Sequence, residues 1–118
     1  MKQLKTKDAS VNIWGLQVEM QPVLKQAGEI WENFIGVDLT VTSGRDGIHS
    51  LGSLHYYGYA VDLRTWDSEG QQIDNDLRHE VVKVLKIVLS EISQYYDVIN
   101  HSTHIHVEYD AVRAGLIK

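Results

Sequence analysis

The sequence predicts an α+β fold, a small and mostly antiparallel sheet with helices packed on one side. Three observations carry this. The segments Met20 to Phe34 and Asp74 to Ile92 space their apolar residues along one helical face. Four shorter segments alternate, or carry β-branched residues, in the manner of strands. Along the chain the order is helix, strand, long loop, strand, helix, strand, strand. Helices segregated from short strands in this way suit a layered α+β domain.

Each element has its own warrant. The opening MKQLKTKDAS has lysines but no apolar stretch behind them, so it reads as a loose arm and not as a signal peptide. In the first helix Met20, Val23, Leu24, Ala27, Ile30, Trp31 and Phe34 make the apolar stripe. Pro22 fits its first turn, where no backbone donor is needed, and Asn33 to Gly36 ends it. Val37 to Thr42 is the first strand. Ser43 to Ser53 (SGRDGIHSLGS) carries three glycines and little apolar content, which makes it a long loop of the functional or disordered kind. Gly58 to Thr65 is a strand and Trp66 to Gln72 a polar turn. The second helix has the stripe Leu77, Val81, Val84, Leu85, Val88, Leu89 and Ile92, with Asp74 or Asn75 as N-cap. Tyr95 to Ile99 and His104 to Tyr109 are two more strands, separated by Asn100 to Thr103. The residues after Asp110 read as a tail.

A chain of 118 residues is the size of one domain, with its core expected over about residues 12–110. Apolar residues make up 43% and charged residues 23%, which excludes disordered and low-complexity classes. There is no cysteine, so disulfides, thiolate zinc knuckles and a cysteine nucleophile are excluded together, and any metal must be held by histidine and carboxylate. The net charge of −5 argues against a nucleic-acid partner. No apolar run reaches the length of a membrane span. Synthesis in the cytoplasm and a monomeric state are the expectations.

Five of the six histidines fall in two windows, His49 and His55, then His101, His104 and His106. Strand alternation turns this clustering into a site. Tyr59, Val61 and Leu63 share one face of their strand, and Gly58, Ala60 and Asp62 the other. Ile105, Val107 and Tyr109 share one face of theirs, and His104, His106 and Glu108 the other. If the strands are neighbours, Asp62 and His106 converge and His55 can curl in as a third ligand. Two imidazoles and a carboxylate bind zinc and leave its fourth position to water, the layout of a catalytic site. Zinc would lower the pKa of that water to about 7 and polarise a carbonyl beside it, with His104 or His101 as general base. Asp62 as a hydrogen-bonded strand acid is the plainer alternative, and His79 reads as solvated. The same ligands describe a non-haem iron triad. There the first histidine and the acid usually stand two apart, whereas His55 and Asp62 stand seven apart, which points away from iron.

The run Ser53-Leu54-His55-Tyr56-Tyr57-Gly58-Tyr59-Ala60-Val61-Asp62 matches SxHxxGxAxD at every fixed position, and His104-Ile105-His106 supplies a downstream HxH. Over roughly Thr40 to Asp110 the chain resembles the zinc D-alanyl-D-alanine carboxypeptidase family, which includes phage L-alanyl-D-glutamate endopeptidases and shares its fold with the hedgehog signalling domain. The resemblance implies that fold, with His55, Asp62 and His106 as zinc ligands and His104 acting on bound water or transition state. It implies Ser53 as a hydrogen-bond partner in the ligand loop and His49 near the metal. Thr42-Ser43-Gly44-Arg45 resembles an SGxR signature whose arginine contacts a substrate carboxylate, although here Arg45 follows the glycine directly. Many relatives carry a glutamate base three residues before the final ligand, where this chain has Thr103. His104 or His101 would then be the base, and Glu108 a carboxylate behind the ligands.

The expectation that follows is a zinc peptidase acting on D-amino-acid-containing stem peptides of bacterial peptidoglycan, as a carboxypeptidase or an endolysin-type endopeptidase. A phage-type enzyme would reach the wall after release from the cell. Tyr56, Tyr57, Tyr59 and Trp66 are candidate cleft walls, although Tyr59 is predicted to face the core. The absent glutamate supports the alternative, a catalytically inert hedgehog-like zinc-containing binding module.

Overall fold

Residues 4–8, 11, 13, 16–44 and 58–116, which the computed structural model of the protein describes, form five strands and two helices. In chain order these are β1 (Lys5–Thr6), α1 (Gln21–Ile30), β2 (Thr40–Ser43), β3 (Ala60–Arg64), α2 (Asn75–Ser90), β4 (Tyr96–Asn100) and β5 (His104–Tyr109). The sheet order is β1-β2-β3-β5-β4. β1 runs parallel to β2, and every other neighbouring pair is antiparallel. The α+β architecture is therefore the one the sequence predicts. No helix among the described residues is long and apolar enough to cross a membrane.

Alternation along the strands separates two faces. Val41, Val61, Leu63, Val98, Ile105 and Val107 join Val23, Ala27 and Ile30 of α1 and Val81, Val82, Leu85 and Leu89 of α2 in one buried core. Both helices thus cover one face of the sheet. Each such aliphatic side chain larger than alanine contributes roughly 1.5–3 kcal/mol by leaving water. Asp62, Arg64, His104, His106 and Glu108 alternate with these residues and point to the other face.

Local chemistry sets the ends of the helices. Asp74 caps α2, its Oδ1 accepting from the Leu77 N–H at 2.8 Å. α1 is entered through a 3-10 turn at Val18–Met20, with Pro22 in its first turn. The single helix expected from Met20 to Phe34 is interrupted, because its last turn widens into a π-helical turn at Trp31–Ile35. That turn closes with the Gly36 N–H on the Trp31 carbonyl at 2.9 Å, Gly36 standing at φ 80°. The extra residue shifts the phase of the apolar stripe. Trp31 stays fully buried, its Nε1–H donating to the Arg64 carbonyl at 2.8 Å, whereas Phe34 turns out to 41% exposure.

The expected N-terminal arm contributes the edge strand β1. Lys5 N–H donates to the Leu39 carbonyl and Lys7 N–H to the Val41 carbonyl, each at 2.9 Å. Two residues are too few for an alternation pattern, and backbone pairing leaves no mark in side-chain identity. At the other end, Ala111 is fully buried two residues after the end of β5, one residue beyond the expected core. Between β2 and β3 the register shifts, pairing Val41 with Leu63 and Ser43 with Asp62, so β2 bulges beside Asp62.

Candidate functional site

The open face of β3 and β5 carries the site. In their antiparallel register Asp62 stands directly opposite His106, Arg64 opposite His104 and Ala60 opposite Glu108. The small side chain of Ala60 leaves room for its long neighbours. His106 Nδ1 lies 2.8 Å from Asp62 Oδ1, and its Nε2 lies 2.7 Å from Glu108 Oε1. An imidazole can donate from both nitrogens only when protonated. Burial pushes the His106 imidazole down, but the hydrogen bonds to Asp62 and Glu108, and the charges of both, outweigh it and raise its pKa to about 9.

His104 has a different character. Its Nε2 lies 3.8 Å from Asp62 Oδ1, too far for a hydrogen bond, while its Nδ1 lies 3.0 Å from the Thr103 hydroxyl. Burial lowers its pKa, and the charges of His101, His106 and Arg78 add to that against the opposing pull of Asp62. These influences favour the neutral form of His104. The exposed His101 ring stacks on it, with centroids 4.6 Å apart and planes 23° from parallel. The open face thus pairs a charged, carboxylate-clamped His106 with a His104 biased toward its neutral form.

The turn presenting these two histidines is anchored from beneath. Arg78 on α2 is 4% exposed, and its Nη1 donates to the His101 carbonyl at 2.9 Å and to Asn100 Oδ1 at 3.3 Å. Its Nη2 donates to the buried Thr65 hydroxyl at 2.6 Å and to Gln72 Oε1 at 2.7 Å. Gln72 Nε2 in turn donates to the Thr103 carbonyl at 2.9 Å. Arg78 and Gln72 together hold both ends of the His101–Thr103 turn. Sequence reasoning missed this trio of Arg78, Thr65 and Gln72. A signal for one member existed, since Arg78 stands three and seven residues before Val81 and Leu85, on the apolar stripe of α2.

Among the described residues the structure brings together Asp62, His104, His106 and Glu108, with His101 stacked at the rim. His79 is exposed on α2, away from this group, and Tyr59 is buried with the core face. His55, His49, Ser53 and Arg45, with Tyr56 and Tyr57, lie outside the described residues. Among the described residues no three histidine or acidic side chains form a metal cage by themselves.

The chemistry of the donor set nevertheless fits zinc. The imidazole of His106 and the carboxylate of Asp62, side by side on the open face, are donor types that a histidine-and-carboxylate zinc site uses and would hold the ion. Glu108, on the far nitrogen of His106, then fixes the ring's tautomer and orientation, as carboxylates behind metal-bound histidines do.

Scans against protein-family models, curated proteins and solved structures find no match to this chain.

Proposed function

We propose that this protein is a zinc peptidase that hydrolyses stem peptides of bacterial peptidoglycan. The observation that carries the reading is the open-face pair of Asp62 and His106, with Glu108 behind it and His104 beside it. His106 and Asp62 would hold the metal, with His55 as the third ligand that the family resemblance implies. When bound, zinc supplies a lowered pKa for coordinated water and a Lewis acid for the carbonyl. Glu108 holds the His106 ring in orientation. In the tautomer whose Nδ1–H donates to the Thr103 hydroxyl, His104 has Nε2 as the nitrogen that would act as the base. Hydrolysis places the hydroxyl of water on the scissile carbonyl carbon and a proton on the leaving nitrogen, and His104 Nε2 is the group placed to move that proton. His101, stacked on His104, limits its rotation.

One observation favours a second reading, a zinc-containing binding module without activity. Thr103 stands where many members of the family carry a glutamate base, and the open-face carboxylates Asp62 and Glu108 are both engaged with His106, with Asp97 opposite Glu108 on the neighbouring strand. The test separates the readings. Zinc content and cleavage of a synthetic stem pentapeptide and of an L-alanyl-D-glutamyl peptide are measured for the wild type, His106→Ala and His104→Ala. The expected result is one zinc and cleavage for the wild type. His106→Ala should lose both, and His104→Ala should keep the zinc and lose at least about a hundredfold in kcat. A zinc-loaded wild type that binds these peptides and cuts none establishes the binding module.

A further inference from the structure

Next to the histidines the open face carries a second built feature, centred on Arg64. The strand register lines up Lys5 with Thr40 and Arg64 with His104, and the pairing of Val41 with Leu63 brings Thr40 against Arg64. A row of Lys5, Thr40, Arg64 and His104 therefore crosses the sheet one step from the Asp62–His106 row. The Arg64 guanidinium lies 3.8 Å over the ring of Trp66, which is 40% exposed. A cleft of about 220 Å³ opens at this point, lined by Lys5, Thr40, Arg64, Trp66 and Ser68 among others.

Each carboxylate at the rim has one oxygen engaged within the protein, while the buried Asp38 Oδ1 has no hydrogen-bond partner among the described residues. Asp38 Oδ2 lies 3.1 Å from Lys5 Nζ. Asp67 Oδ1 accepts from the Glu69 and Gln71 backbone N–H groups at 2.9 and 3.0 Å, closing the turn after β3. Among the described residues no carboxylate pairs with Arg64. Stacking fixes the plane of the guanidinium and leaves its N–H edges available, the arrangement that suits bidentate capture of a carboxylate. Holding the fork on an indole also lowers the ordering cost of binding. A polyanion is disfavoured, because Asp38 and Asp67 flank the cleft. A single negative charge fits.

The geometry points to Arg64, stacked on Trp66, as the anchor for one carboxylate of the ligand, held in this cleft beside His104. The inference rests on the peptidase reading only for the ligand's being a peptide. Residues 62 and 64 stand roughly 6.6 Å apart along β3, and the guanidinium turns toward Trp66. The anchored carboxylate is thus displaced from the scissile bond, so its binding energy serves to orient the reacting part of the peptide. A chain terminus and an acidic side chain present the same group.

The test uses three short peptides on the full-length, zinc-loaded protein, with the Trp66 indole N–H followed by NMR. One peptide has a free C-terminal carboxylate, one is its C-terminal amide, and one is amidated but carries a glutamate. At least one acidic peptide should shift the Trp66 signal and bind on the order of tenfold or more tightly than the peptide without a carboxylate. Whichever acidic peptide does so identifies the source of the group. Arg64→Gln should abolish the preference, and Arg64→Lys should restore only part of it. Equal affinity for all three peptides, or a preference that survives in Arg64→Gln, overturns the inference. Cleavage is scored separately. An Arg64-dependent carboxylate preference without cleavage leaves the anchor standing and removes the peptidase reading. Cleavage with no carboxylate preference and an unchanged KM in Arg64→Gln does the reverse.

Discussion

His106 is clamped by a carboxylate on each ring nitrogen, which makes its proton the most informative one in the molecule. Its pKa is raised from 6.5 to about 9 on folding. The folded state thus binds this proton more tightly than the unfolded chain, and the stabilisation is complete below pH 6.5 and lost as pH rises through about 9. In chelator-treated protein the unfolding midpoint should fall between pH 7 and 10, and His106→Gln should remove that part of the slope. An identical slope in wild type and variant contradicts the clamp. A metal held as proposed would compete for the same position, so zinc affinity should rise over this range. Glu108→Gln keeps the size of the side chain but removes its charge from the far nitrogen. It should weaken zinc binding by about 10–100-fold in a chelator competition while leaving the fold intact. Unchanged affinity would show that Glu108 only pairs with His106 in the absence of metal. Asp62, His104 and His106 were legible in the sequence because strand alternation needs only residue order. The partner of each ring nitrogen was not, since that depends on side-chain conformation.

At the level of elements, α2 has two tasks, packing the core through Val81, Leu85 and Leu89 and holding the histidine turn through Arg78. Arg78→Met preserves the length and the apolar stem of the side chain. It removes the Arg78 donors from the His101 carbonyl and the Thr65 hydroxyl, while Gln72 Oε1 keeps the Thr65 hydroxyl as donor, at a cost of roughly 1–3 kcal/mol in denaturant unfolding. The His101 and His104 ring signals should also shift in NMR spectra. A loss of stability with those rings unmoved would mean that Arg78 ties helix to sheet without positioning the histidines. The apolar stripe of α2 and the capping by Asp74 could be read from spacing alone. Other details could not. A π-helical turn at Trp31–Ile35 obeys no simple period, which is why Phe34 was expected in the core and is found half exposed. β1 consists of two residues paired through backbone groups, which no composition marks.

At the scale of the whole molecule, the fold divides its labour between two faces of one sheet. Helices and core occupy one face. The other gathers Asp62, His106, Glu108 and His104 beside the Arg64–Trp66 cleft. The face assignment followed from alternation in β3 and β5. The neighbourhood of those two strands, which lie far apart in sequence, had to come from the structure. The absence of cysteine turns the ligand question toward histidine and carboxylate, and the open face supplies both. The central claim, that this face cuts peptide bonds of the bacterial wall, is tested most directly by mass spectrometry of the soluble material released from purified peptidoglycan by zinc-loaded protein. Stem-peptide fragments or free D-amino acids released by the wild type and absent with His106→Ala are the expected result. Walls left intact by a fully zinc-loaded wild type would contradict it.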